Sequence, residues 1–229
     1  MMKFIRRFGD LGINGVAARW YDGNSRRHRI GEMREYAEEV AGHINEGSTV
    51  LDVATGPGYL AIELAKMGNY RVTGMDISSD FVEIARRNAR QSGASVNFRQ
   101  GNVSDMPFAD NMFDFIVCTA AFKNFRDPVK ALTEMYRVLK EGGTAMIKDL
   151  KNDVTNEEIN DMAKGMQVMG IEAAFMKMTF KYFLRKGAYT KDQVDRLISE
   201  TNFGESRIET RGVTLSIYLK KSPTMILRD

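Results

Sequence analysis

Through the middle of the chain, apolar runs of strand length alternate with segments whose apolar residues recur at helical spacing. The strand-like runs are Thr49 to Ala54, Tyr70 to Met75, Ser95 to Gln100, Phe113 to Cys118 and Thr144 to Asp149. Between them, Leu60, Leu64 and Met67 share one helix face, Phe81, Ile84, Ala85 and Ala89 a second, and Leu132, Met135 and Leu139 a third. Asp127 with Pro128 reads as cap and first-turn proline of the third helix, which Gly142 and Gly143 are expected to close. Strands alternating with helices predict a mostly parallel sheet covered on both faces.

Beyond Asp149 the pattern changes. Thr155 with Glu158, and Thr190 with Gln193, match the capping-box spacing, so helices are expected to start at both threonines. The stretch "GVTLSIYLKK" alternates strictly, with Val213, Leu215, Ile217 and Leu219 on one face. It predicts an antiparallel strand paired with Arg207 to Thr210 across a turn at Gly212. The expected fold is α/β and doubly wound: a mostly parallel seven-stranded sheet with an antiparallel C-terminal strand, N-terminal helices and a helical lid. One domain is expected over 1–229, with a helical cap at 1–47, a cofactor-binding core at 48–149, a lid at 150–189, and the last helix and C-terminal strands at 190–229.

Composition narrows the chemistry. The chain has 229 residues and a net charge of +3, with basic residues gathered in the first thirty-five positions, notably "RRHR" at Arg26 to Arg29. A solvated helix face accounts for these better than a nucleic-acid footprint, which calls for a basic stripe or a domain basic throughout. The single cysteine, Cys118, precludes an internal disulfide and a cysteine-built zinc site, and it is expected to be core. His28 and His43 lack metal spacing and read as surface residues, and no metal site is expected. The opening "MMKFIRRFGDLGING" lacks the apolar core of a signal peptide, and no segment is long enough to span a membrane. A cytoplasmic protein is the expectation.

The candidate chemistry sits in "VLDVATGPGYLAIEL", Val50 to Leu64. A glycine-rich turn after the first strand lets backbone approach a ligand at the carboxyl edge of the sheet. Gly56, Gly58 and Ala61 formally satisfy G-x-G-x-x-A, and Asp76 ends the next strand, well placed for ribose hydroxyls. A nicotinamide cofactor fits this pattern too, and so does a turn made only for folding. Asp52 tilts the choice. Four residues before Gly56, its carboxylate opposes a pyrophosphate but favours a ligand carrying an ammonium and a sulfonium, such as S-adenosylmethionine.

"VLDVATGPG", "VTGMDIS", "GNVSDMPFADNMFDFIVC" and "DPVKALTEMYRVLKEGG" occur in the order and spacing of class I S-adenosylmethionine-dependent methyltransferases. The chain most resembles the branch containing the ubiquinone/menaquinone biosynthesis methyltransferases, from about Val16 to Lys220, and "AARWYD" resembles the Tyr-Asp segment that precedes the domain there. The resemblance implies S-adenosylmethionine as cofactor. Gly56 and Gly58 would face its methionine portion, Asp76 the ribose, and Ile77 the adenine face, with Thr55 a further cofactor contact. Asn102 and Val103 would meet the adenine edge, Thr119 and Ala120 the sulfonium end, and Tyr21 is a further contact or else a clamp beside Trp20. Ala54 stands where the branch commonly has its first glycine, and Pro57 stiffens the loop.

Methyl transfer from a sulfonium is an in-line displacement with an activated leaving group, so alignment and water exclusion carry much of the rate. A base matters only for an acceptor that must lose a proton. Lys123, just past the fourth strand, and Asp149, ending the fifth, are the candidate catalytic residues. Lys123 would face the acceptor or be a solvated loop lysine, and Asp149 would be a base, an orienting group, or only a partner of Lys148. The segment Asn152 to Tyr189 carries Met162, Met166, Met169, Met176, Met178, Phe175, Phe180, Tyr182 and Phe183. These residues suit ordinary core or an adaptable apolar pocket for a small aromatic or apolar acceptor. The expected partner is that small-molecule acceptor, with a homodimer as the protein partner left open. Three rivals stand: a non-methylating reaction such as cyclisation on the same fold and cofactor, a nicotinamide-dependent oxidoreductase, and a regulatory cofactor-binding protein.

Overall fold

The computed structural model describes residues 12–165 and 187–223. Two N-terminal helices, α1 (Val16–His28) and α2 (Ile30–Ala41), precede the alternating segment. That segment runs β1 (Thr49–Val53), α3 (Tyr59–Met67), β2 (Arg71–Asp76), α4 (Ser79–Ser92), β3 (Asn97–Gln100), β4 (Phe113–Thr119), α5 (Pro128–Val138) and β5 (Leu139–Leu150). Helices α6 (Asn156–Gly165) and α7 (Lys191–Ser199) and the hairpin β6 (Glu205–Arg211) and β7 (Thr214–Lys220) complete the described chain. The strands form one sheet in the order β3-β2-β1-β4-β5-β7-β6, in which β7 runs antiparallel to both its neighbours. The order reverses between β1 and β4, so connections leave these two strands toward opposite sides and open a crevice at their carboxyl ends, where such sheets bind ligands.

Strand alternation builds the two cores. Leu51, Val53, Ala145 and Ile147 pack on one face with Leu132 and Met135 of α5 and Val194 of α7. Val50, Val117 and Met146 pack on the other with Met33 and Ala37 of α2, Leu60 and Leu64 of α3, and Ala85 of α4. Both capping boxes form: Thr155 N–H donates to Glu158 while Glu158 N–H donates back to Thr155 Oγ1, and Thr190 and Gln193 do likewise. Asp127 accepts from Lys130 N–H at 3.0 Å with Pro128 in the first turn of α5.

One boundary departs from the sequence reading. Helix α5 does not run to Gly142: it stops at Val138, because Leu139 is already extended at φ −69°, ψ 140° and pairs with Phe113. Gly142 and Gly143 lie inside β5, where the register against β4 jumps from Leu139 to Thr144. Gly142 has φ +75°, and a Cβ on Gly143 would stand 2.8 Å from the Lys140 carbonyl oxygen. The pair therefore makes a bulge rather than a helix stop.

The N-terminal helix is fastened by Asp22, which is buried. Its Oδ1 accepts from the Tyr59 hydroxyl at 2.6 Å and from Asn88 Nδ2 at 3.0 Å, tying α1 to α3 and α4. Trp20 is 68% exposed, so the clamp falls to the Asp22 carboxylate and to Tyr21, whose ring meets Phe81 edge-on at 5.6 Å.

Candidate active site

Two cavities open at the crevice and share Ala54. The first is lined by Asp76, Ile77, Asn102 and Val103 from the sequence reading, together with Met75, Gly101, Ser104, Phe125 and Arg126. The second is lined by Tyr21, Asp52, Thr55, Gly56 and Thr119, together with Ser25, Arg29, Met33, Pro57, Tyr59 and Leu60. The residues expected at the adenosine and those expected at the methionine portion thus line separate cavities, which meet at the loop after β1. Two do not line either cavity. Gly58 starts α3 at φ +84°, and a Cβ there would stand 2.8 Å from Ala85 Cβ and from the Phe98 ring, so it lets helix and sheet close up. Ala120 follows β4 at φ +56° and donates its N–H to the Lys148 carbonyl at 2.7 Å.

Gly56 has φ +54° and nothing within 4 Å of where a Cβ would stand, so its backbone faces open space. Asp76 fixes this loop. Its Oδ2 accepts from Gly56 N–H and its Oδ1 from Ser78 N–H, both at 2.9 Å. Burial pushes its carboxyl above the ordinary aspartate value, and the backbone donors Ser78, Gly56 and Ile77 pull back. Asp52 is 2% exposed, and its Oδ2 accepts from the Thr55 hydroxyl at 2.5 Å. Burial pushes Asp52 up to about 7, against the Thr55 hydrogen bond and with nearby Asp76 adding repulsion. Burial disfavours the charged form of both carboxyls beside this open loop, and a cationic ligand there would favour it.

Sequence reading missed three contributors. Arg29 is only partly buried, and it donates to the Tyr21 hydroxyl and to Glu32 Oε2, each at 2.9 Å. Ser25 is buried with no hydrogen-bond partner for its Oγ, an orphan group at the same cavity. Phe125 lines the other half. The "RRHR" run concealed Arg29: Arg26, Arg27 and His28 are exposed, whereas Arg29, at the α1–α2 junction, is partly buried and lines the cavity. Asn102 does two jobs, lining the first cavity while its Oδ1 accepts from Ser104 N–H at 2.9 Å.

At the carboxyl ends of β4 and β5, Lys123 and Asp149 converge. Lys123 Nζ stands 2.7 Å from Asp149 Oδ1, and Lys123 N–H donates to Oδ2 at 2.9 Å. Leu150 N–H adds a third donor at 2.7 Å. The pairing of Asp149 with Lys148 does not form, because adjacent strand residues face opposite sides of the sheet. Lys148 instead pairs with Glu39 of α2 and lies over the Tyr36 ring. Cys118 is fully buried in the core, with its thiol pushed well up by burial. His28 and His43 are exposed. Among the described residues no cluster of His, Cys, Asp or Glu has metal-holding geometry, and no helix is long and apolar enough to cross a membrane. Met162 packs with Val154 and Ile159 in a small core, and the expectations on Met166, Met169, Phe175, Met176, Met178, Phe180, Tyr182 and Phe183 lie outside the described residues.

Residues 44–202 match the model of a family described as a methyltransferase domain. The chain belongs to that family. Its fold is the one shared by solved S-adenosylmethionine-dependent methyltransferases. Among curated proteins, it is 44% identical over 104 residues to a ubiquinone/menaquinone biosynthesis C-methyltransferase of Bdellovibrio bacteriovorus, covering 44% of this chain and 43% of that protein. The chain spans about half the length of the curated relatives it matches. Among solved structures, a putative S-adenosyl-L-methionine-dependent methyltransferase of Methanococcus maripaludis superimposes with a TM-score of 0.74 at 23% identity, covering 94% of this methyltransferase and 97% of that chain. The [4+2]-cyclase SpnF shares the fold at a TM-score of 0.64 and 17% identity, covering 83% and 81%.

In this methyltransferase Ala54 has φ +56°, a region that costs a non-glycine residue roughly 1 kcal/mol. Ala54→Gly is expected to raise the unfolding free energy by about 0.5 kcal/mol, strain relief outweighing the added freedom of the unfolded chain. Urea unfolding checks this, and a lowered midpoint would mean that the lost methyl packing dominates.

Proposed function

We propose that this chain moves the methyl group of S-adenosylmethionine to a small aromatic or apolar acceptor, with a quinone-like ring carbon as the foremost candidate. The observation that carries the donor half is the pair of buried carboxyls, Asp52 and Asp76, on either side of the open backbone at Gly56. The acceptor half draws support from the curated relatives named for ubiquinone/menaquinone biosynthesis and demethylmenaquinone methylation. When bound, the cofactor supplies a methyl group already activated by its sulfonium.

The residues then divide the work. Asp76 would hold the ribose hydroxyls while keeping Gly56 and Ser78 in place, and Ile77, Asn102, Val103 and Phe125 would enclose the adenine. Arg29 and the Ser25 hydroxyl would take the methionine carboxylate, while Asp52, held by Thr55, would balance the ammonium and sulfonium. Tyr21 would keep Arg29 aimed inward. Thr119 would border the methyl end. Lys123 and Asp149 would shape the acceptor mouth as an ion pair. With three donors on its two oxygens, Asp149 is better suited to orienting Lys123 than to taking a proton.

Incubation with methyl-labelled donor and a panel of quinone-like, phenolic and amine acceptors tests the proposal. Mass gain on a ring carbon together with release of S-adenosylhomocysteine supports it. Conversion without S-adenosylhomocysteine would indicate the cyclase-type reading, and protection from thermal unfolding by NAD alone would indicate an oxidoreductase. With an acceptor in hand, Asp149→Asn is expected to lower acceptor kcat/KM about tenfold through loss of the oriented lysine. Donor affinity should stay within about threefold, and a normal kcat/KM would remove the pair from the acceptor site.

A further inference from the structure

We propose that two copies of this chain join edge to edge along β6, antiparallel and centred on Ile208, to make one continuous sheet across a two-fold axis. Strand β6 ends the sheet, and among the described residues nothing pairs with its outer side. Which of its backbone groups point outward follows from β7. Lys221 exchanges backbone bonds with the β5 side, donating its N–H to the Gly143 carbonyl and accepting from Gly142 N–H. Alternation then turns Lys220, Tyr218, Ser216 and Thr214 toward β6, where their partners are Glu205, Arg207, Glu209 and Arg211. The N–H and C=O groups of Ser206, Ile208 and Thr210 are left facing away from the sheet.

An edge of this kind is normally blunted by charged side chains, proline or a bulge. β6, ESRIETR, has no proline and no bulge in its register against β7, and its charges alternate in sign. That alternation excludes most partners and specifies one. With Ile208 opposite Ile208 of a second copy, Ser206 faces Thr210, Arg207 faces Glu209 and Glu205 faces Arg211, so every charge meets its opposite. The charged pairs fall at the non-hydrogen-bonded positions, where opposing side chains come closest. Centring the pairing on Arg207 or on Glu209 opposes like charges, and so does a parallel arrangement. Arg207 and Glu209 already lie 3.4 Å apart on this face, and Arg207 is held over the Tyr218 ring at 4.4 Å. The occupant that fits a self-complementary edge is a second copy in an isologous contact. Little apolar surface is gained beyond Ile208, so the dimer is reversible and sensitive to salt.

Sedimentation of the full chain from low to high micromolar concentration tests this. Wild type should show a monomer–dimer equilibrium that weakens with added salt. Arg207→Glu places glutamate against Glu209 twice per dimer and is expected to raise the dissociation constant about tenfold or more. The double variant Arg207→Glu/Glu209→Arg restores opposite charges and should recover most of the association. Unchanged circular dichroism and thermal midpoints would establish that the variants fold. A chain that stays monomeric throughout, a dimer indifferent to Arg207→Glu, or a double variant no better than the single one would each overturn the proposal.

Discussion

Replacing Asp52 with asparagine is expected to stabilise the cofactor-free protein at pH 8 while weakening S-adenosylmethionine at least tenfold. In the folded chain Asp52 is buried against Thr55 and near Asp76, and its carboxyl is pushed up to about 7 from the ordinary 3.8. A raised carboxyl means that folding favours the neutral acid. The contribution is fully present below about pH 4 and is lost progressively as pH rises through 7, after which the ionised group is carried at a cost. A shift of about three units corresponds to roughly 4 kcal/mol at most, and relaxation around the site brings the expected figure nearer 2 kcal/mol. Asparagine is neutral throughout and keeps an oxygen for the Thr55 hydroxyl. The stability gap between variant and wild type should therefore open between pH 4 and pH 7 and then level off.

Binding has the opposite sign. A cationic ligand prefers the ionised carboxylate, so wild-type affinity should fall as pH drops below 7, while the variant stays weak and flat. Urea unfolding across pH and calorimetry in buffers of different ionisation enthalpy read both effects. Parallel stability profiles, or equal donor affinity in the two proteins at pH 8, would remove Asp52 from the cofactor site.

Much of this site is legible because strand period and turn chemistry are local. Alternation alone places Val50 and Asp52 on one face and Leu51 and Val53 on the other, and the loop that follows must put Asp52 near whatever Gly56 faces. The same rule excludes a pair between Asp149 and Lys148, since consecutive residues of a strand cannot share a face; the partner, Lys123, comes from the turn after the neighbouring strand. What stayed hidden depends on chain-to-chain placement. Arg29 looks like its exposed neighbours until α2 packs on α3 and carries the helix junction over the crevice. Ser25 is a polar helix residue like any other until burial leaves its hydroxyl unpaired. The misread end of α5 has a local cause of another kind: two glycines suit a helix stop and a bulge equally, and the pairing of Leu139 with Phe113 decides between them.

Asp76→Ala is expected to weaken S-adenosylmethionine by about 2 to 3 kcal/mol, some 30- to 150-fold, because two effects add. The first is loss of a charge-assisted acceptor for the ribose hydroxyls. The second is loss of the oxygens that receive the N–H groups of Gly56 and Ser78, which leaves the loop after β1 and the start of α4 without their common anchor. Asp76→Asn separates them. Its amide keeps one acceptor oxygen for one of the two backbone donors, so the loop should be partly held while the charged interaction disappears. An affinity between wild type and alanine, with a thermal midpoint near wild type, is the expected pattern. If alanine and asparagine lose affinity equally and both lower the midpoint, Asp76 acts on the loop alone. If neither changes the dissociation constant, the ribose lies elsewhere along the crevice, and the division of the two cavities at Ala54 does not correspond to the two halves of the cofactor.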